Sequence, residues 1–92
     1  MIESFSHKGL KRLHQKGDAS GIGPNMLARV EEILTILNVA EKLADADIPG
    51  YRLHPLTGNL KGFWSIKVTG NWRVIFRFEN GNVWDVDLVD SH

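Results

Sequence analysis

Residues 62–89 read GFWSIKVTGNWRVIFRFENGNVWDVDLV, and the period of this stretch decides the architecture. Apolar residues recur at every second position, and Val, Ile, Phe, Trp and Thr, which suit a pleated backbone, dominate it. The pattern predicts strands over 62–68, 72–79 and 82–89, preceded by a fourth over 51–54. Asn80-Gly81 is the strongest hairpin signal in the chain, because a type I′ turn requires positive φ at both central residues. Thr69-Gly70-Asn71 and the Pro-Leu-Thr-Gly-Asn run at 55–59 join the other strands. These links are too short for crossover helices, so the four strands form an antiparallel meander.

Alternate side chains of a strand point to opposite faces. Trp72, Val74, Phe76 and Phe78 share one face, Trp64, Ile66 and Val68 join them, and unbroken alternation adds Trp84, Val86 and Leu88. All three tryptophans are therefore expected in the core. The other face collects Phe63, Ser65, Lys67, Arg73 and Arg77, with Arg52 and His54 from 51–54, and it is expected to lie uncovered. Asp85 and Asp87 fall on that second face as possible partners for the arginines.

Upstream of the sheet the period is helical. Leu10 and Leu13 mark a short basic helix over 6–16 that Gly17-Asp18 ends. Pro24 suits a first helical position, and Leu27, Val30, Ile33, Leu34 and Leu37, with Val39 or Ala40, form the apolar stripe of a longer helix. A further turn is expected over 41–46, and Met1–Phe5 reads as a short first strand. The fold class is α+β, with N-terminal helices packed on one face of a curved, mainly antiparallel sheet.

Ninety-two residues suit one domain spanning 1–92. With 42% hydrophobic and 24% charged residues the chain is globular in composition, not disordered or fibrous. No apolar run approaches the ~18 residues of a membrane span, and residues 1–12 lack the apolar stretch of a signal peptide. A cytoplasmic protein with no membrane partner is expected. The absence of cysteine removes disulfides, thiolate metal sites and thiol nucleophiles.

The net charge is zero, but its order along the chain is uneven. Lys8, Lys11, Arg12 and Lys16 stand against Glu3 alone at the start; Arg52, Lys61, Lys67, Arg73 and Arg77 then follow one another with no acid between them. A cationic sheet face with an aromatic residue and a histidine suits a single-stranded RNA, whose phosphates take Arg and Lys and whose bases stack. Solvated charge and surface ion pairs are the structural alternative.

No phosphate-binding glycine loop, zinc spacing or Ser-His-Asp order is present, and His7, His14, His54 and His92 are scattered. Neither a metal nor another cofactor is expected. RNA supplies its own nucleophile in the 2′-hydroxyl, so cleavage needs only a base, an acid and a cation over the phosphate. His54, Arg73, Asp90 and His92 are residue types suited to those tasks.

The segments His54-Pro55-Leu56-Thr57-Gly58, Gly62-Phe63-Trp64-Ser65-Ile66-Lys67-Val68 and Asn71-Trp72-Arg73-Val74, in this order and spacing, resemble the HigB plasmid-maintenance killer toxins of the RelE superfamily. The resemblance runs from Ile2 to the closing Asp90-Ser91-His92. It implies the RelE-like toxin fold and a ribosome-dependent, metal-independent endoribonuclease that cuts messenger RNA in the A site. It also implies silencing by a HigA-like helix-turn-helix antitoxin, through which alone the chain would reach a DNA operator. His54, Asn71, Arg73, Asp90 and His92 fall at the family's active-site motifs. Arg73 is then expected to hold the scissile phosphate, with His54, Asp90 and His92 moving protons, base and acid left open. Arg52, Lys61, Lys67, Asn71 and Arg77 are the expected RNA contacts. Thr57 stands where relatives carry lysine, and Ser91 where a tyrosine often precedes the last histidine. A weakened homologue that binds ribosome or antitoxin without cutting is the alternative reading.

Overall fold

The computed structural model describes residues 1–91; His92 lies outside the described residues. Two helices, α1 (Lys8–Lys16) and α2 (Leu27–Val39), precede a sheet of β1 (His54–Pro55), β2 (Phe63–Thr69), β3 (Trp72–Glu79) and β4 (Asn82–Asp90) in the spatial order β1-β2-β3-β4. All three strand pairings are antiparallel. Asn80 and Gly81 take φ of 52° and 79°, the left-handed pair that the β3–β4 hairpin demands. Residues 1–6 do not make a full strand. They run alongside β4 in parallel, bridging Ile2 to Val83 and Phe5 to Val86, and so cover its outer edge.

His7 caps α1, its Nδ1 accepting from Leu10 N at 3.1 Å, and Gly17 ends the helix in a left-handed turn. Helix α2 begins three residues later than Pro24, which lies in the preceding turn; Met26 N donates to Gly23 O there. Its stripe of Val30, Ile33, Leu34 and Leu37 is buried, with Ala40 rather than Val39 completing it. A turn of 3-10 helix follows over Leu43–Ala46. The helices pack on the face of Ile66, Val68, Val74 and Phe76, and one continuous core results. No helix among the described residues is long and apolar enough to cross a membrane.

The expected strand over 51–54 is mostly absent. Tyr51 is instead buried in the core, with its hydroxyl donating to Glu32 and Arg29 lying 4.2 Å over its ring. Arg29 also donates to Gly50 O and Lys67 O, while Lys67 N donates to Tyr51 O. The segment before β1 is thus tied to both α2 and β2, and strand pairing is left only to His54 and Pro55.

The parity of β4 also departs from unbroken alternation. A β-bulge lies opposite Phe76, between the pairs Ile75–Asp87 and Arg77–Trp84, and Asp85 adopts φ of 55°. The extra residue reverses facing on its N-terminal side. Val83 turns inward and is fully buried, and Trp84 turns to the face of Arg77. Trp84 is therefore not a core residue. Trp64 and Trp72 do flank the core, half-buried.

Candidate active site

Cross-strand partners share a face, so the register orders the side of the sheet away from the helices in rows. Lys67 pairs with Arg73 and Arg73 with Val89; Ser65 pairs with Ile75 and with His54; Phe63 pairs with Arg77 and Arg77 with Trp84. Contrary to expectation this face is not open throughout, for Ser65 is 1% and Ile75 4% exposed. Segment 55–61 folds over them, anchored where Leu56 N donates to Phe63 O at 2.9 Å. The result is a pocket of about 210 Å³ floored by Ser65 and Ile75, walled by Leu56, Leu60 and Val89, and edged by His54, Arg73 and Ser91. It is smaller than the ~300–1,000 Å³ of small-molecule sites, so it suits a fragment of a longer ligand.

Its polar groups are few and specific. A terminal guanidinium nitrogen of Arg73 is buried with no hydrogen-bond partner among the described residues. An unpaired buried donor on a cation is costly, and an anion entering the pocket would satisfy it. His54 Nδ1 lies 2.8 Å from Arg52 O. A carbonyl oxygen only accepts, so Nδ1 carries the proton and the neutral ring keeps its lone pair on Nε2. Arg52 has φ of 52°, and that left-handed turn aims its carbonyl back at the ring.

The chain end is fastened beside this pocket. Ser91 N and Oγ both donate to Asn71 O, at 2.8 and 3.0 Å, which ties residue 91 to the β2–β3 turn. Asn71 is exposed in that turn. Asp90 pairs with Trp72 and so takes the face opposite Arg73 at the end of β4; it does not line the pocket. His92, also expected at the site, lies outside the described residues.

Of the expected RNA contacts, Lys67 is half-buried beside Arg73 and Lys61 is exposed at the end of the covering segment. The Arg52 side chain is exposed but on no strand of the sheet. Arg77 is already engaged: its Nε donates to Asp85 at 2.8 Å and its Nη1 to Glu79 at 2.5 Å, and the Asp85 carboxylate pushes its pKa up. Two carboxylates therefore face the guanidinium that was expected to contact phosphate. Among the described residues no three His, Asp or Glu side chains are grouped to hold a metal.

A larger cavity of about 520 Å³ lies on the helical side, between residues 1–5 and α1, reaching Asn38 of α2. Size does not make it the better candidate, since it lacks the buried, unpartnered cation. Sequence reasoning misses the apolar cover of the smaller pocket, Leu56 and Leu60, and, outside its lining, the outward Trp84. The apolar doublet Val83-Trp84, breaking the alternation just before Asp85, is the one signal of the bulge.

Comparison with known proteins gives a consistent set of relatives. A family model described as the RelE-like toxin of the type II toxin–antitoxin system HigB matches residues 3–92. The chain is 40% identical over 92 residues to Endoribonuclease HigB of Proteus vulgaris, covering all of both chains. It is 32% identical over 83 residues to Toxin HigB-1 of Vibrio cholerae serotype O1, covering 88% of this chain and 87% of that one. Among solved structures, YafQ from E. coli strain BL21(DE3) superposes with a TM-score of 0.57 at 20% identity, and a single-residue YafQ mutant with 0.60 at 18%; each alignment covers 98% of this chain and 91% of the other. At such identities the likeness concerns the fold, which is the RelE-like α+β arrangement.

Proposed function

Since the chain belongs to the HigB-like family of RelE-type toxins from type II toxin–antitoxin systems, we propose that it is an endoribonuclease acting in the cytoplasm on messenger RNA in the ribosomal A site. Membership implies an antitoxin partner; the proposal makes it a HigA-like helix-turn-helix protein that carries the only contact with an operator. The observation that supports cleavage best is the buried, unpartnered guanidinium nitrogen of Arg73 in a pocket shared with His54.

In this reading Arg73 holds the scissile phosphate and the charge that grows on it, in a site whose apolar walls strengthen the interaction. A base removes the proton of the neighbouring 2′-hydroxyl. The 2′-oxygen attacks phosphorus, the P–O5′ bond breaks, and an acid returns a proton to the departing oxygen. The products are a 2′,3′-cyclic phosphate and a 5′-hydroxyl. The His54 tautomer leaves Nε2 ready to accept a proton. His92 remains its proposed partner in proton transfer, and Asp90, which does not line the pocket, is proposed to orient a histidine. Lys61, Lys67, Asn71 and Arg52 are the proposed contacts along the strand.

The test is to incubate purified chain with messenger RNA, alone and on programmed ribosomes, and to map new 5′ ends. Cuts confined to the A-site codon and dependent on ribosomes are expected, along with growth arrest that an antitoxin relieves. Ribosome binding without any cut would replace the reading with that of a non-cleaving binding module.

A further inference from the structure

The bulge in β4 has a cost and a single conspicuous effect. Asp85 is held at φ of 55°, a left-handed conformation that costs an L-residue energy, although aspartate bears it better than most. Three bonds hold it there: its N–H donates to Ser4 Oγ at 2.8 Å, that hydroxyl donates to its Oδ1 at 3.2 Å, and Arg77 Nε donates to its Oδ2 at 2.8 Å. What this achieves is the transfer of Trp84 from the core to the face that bears the pocket. Bulges beside functional sites re-aim side chains in this manner.

Trp84 occupies one row with Phe63 and Arg77, next to the Ser65–Ile75 row of the pocket floor. Two residues of strand separate adjacent rows, about 7 Å. Both aromatics are half-buried, and the indole Nε1 of Trp84 is itself buried with no hydrogen-bond partner among the described residues. A tryptophan placed for packing normally has its N–H paired. Arg77 between them is matched by Asp85 and Glu79. The row therefore presents aromatic surface without net positive charge, while Lys67 and Arg73 hold the cations at the pocket's other end.

From this arrangement we propose that Phe63 and Trp84 form a stacking subsite for a nucleobase of the RNA strand whose scissile phosphate sits at Arg73. The inference rests on the endoribonuclease reading and adds a specificity element to it. A polynucleotide gripped by phosphate at one row needs a base platform one or two nucleotides along, and aromatic faces provide it with little regard to base identity.

Phe63→Leu and Trp84→Leu keep an apolar side chain and remove the ring. Binding of a fluorescent single-stranded RNA is measured by anisotropy against matched strands carrying one abasic site, moved position by position. The wild type should bind the intact strand on the order of 10-fold more tightly than the strand abasic at one particular position. In either variant that preference should fall within about 2-fold, with the melting temperature nearly unchanged. A wild type that shows no preference, or binds no RNA, overturns the inference, as does a variant that weakens intact and abasic strands equally. Loss of antitoxin affinity with the preference intact would make the row a protein interface, which also overturns it. Failure of the wild type to cut on ribosomes refutes the enzymatic reading separately, because the abasic comparison needs no cleavage.

Discussion

Arg73→Met should make the protein more stable and almost inactive. The substitution keeps the apolar stem against Ile75 and Val89, its neighbours on the pocket side of the sheet, and removes a guanidinium with one nitrogen buried and unpartnered among the described residues. An unsatisfied buried donor costs about 1–3 kcal/mol, more when charged. Arg73 as a whole is only half-buried, so solvent relieves part of this, and a gain of about 1–2 kcal/mol is expected. For a chain of this size 1 kcal/mol moves the melting temperature by ~4–8 °C, so a rise of about 4–16 °C should be seen by calorimetry. Loss of transition-state charge stabilisation should slow single-turnover cleavage on ribosomes by ~10²–10³-fold. Opposite signs in the two assays are the signature of a residue retained for chemistry at a cost in stability. A variant that melts lower and cleaves normally would show Arg73 to be a structural residue and refute the argument.

Tyr51 is pushed up to about 12 by burial and by its hydrogen bond to Glu32, against ~10 unfolded. The native state then binds more protons between those values, so this contribution is complete below pH ~10 and disappears as pH rises toward 12. It amounts to ~2–3 kcal/mol, and urea melts of Tyr51→Phe should lack that part of the alkaline decline. A Cβ on Gly21 would lie 2.8 Å from Cα of Gly9 and 2.9 Å from the Arg12 guanidinium; Gly21→Ala should therefore push α1 off the turn before α2 and cost about 1–3 kcal/mol, read as a lower denaturant midpoint. Affinity for single-stranded RNA should fall with salt, and Lys61→Ala and Lys67→Ala should each flatten the log–log slope by about 0.7. Arg77→Ala, removing a charge already matched by Asp85 and Glu79, should leave that slope nearly unchanged.

Several features of this protein follow from short stretches of sequence alone. The alternation through β2 and β3 separates Trp64, Ile66, Val74 and Phe76 from Ser65, Lys67, Arg73 and Arg77 because strand parity is a local rule. Asn80-Gly81 sets a hairpin through its own φ preferences, and the stripe from Val30 to Leu37 forms a helix face by spacing. The pairing of His54 and Arg73 with one side of the sheet was legible on the same grounds. Other features depend on partners far away in the chain. The bulge that turns Trp84 outward is held by Ser4, 81 residues from Asp85, and no local pattern encodes that hydroxyl's position. Tyr51 leaves its strand for the core because Arg29 and Glu32 of α2 receive it. The pocket exists because Leu56 and Leu60 close over Ser65 and Ile75, and β4 brings Asp85 beside Arg77. Periodicity tells which way a side chain points while the backbone stays regular; what it meets there, and where regularity breaks, is settled by long-range packing and hydrogen bonding.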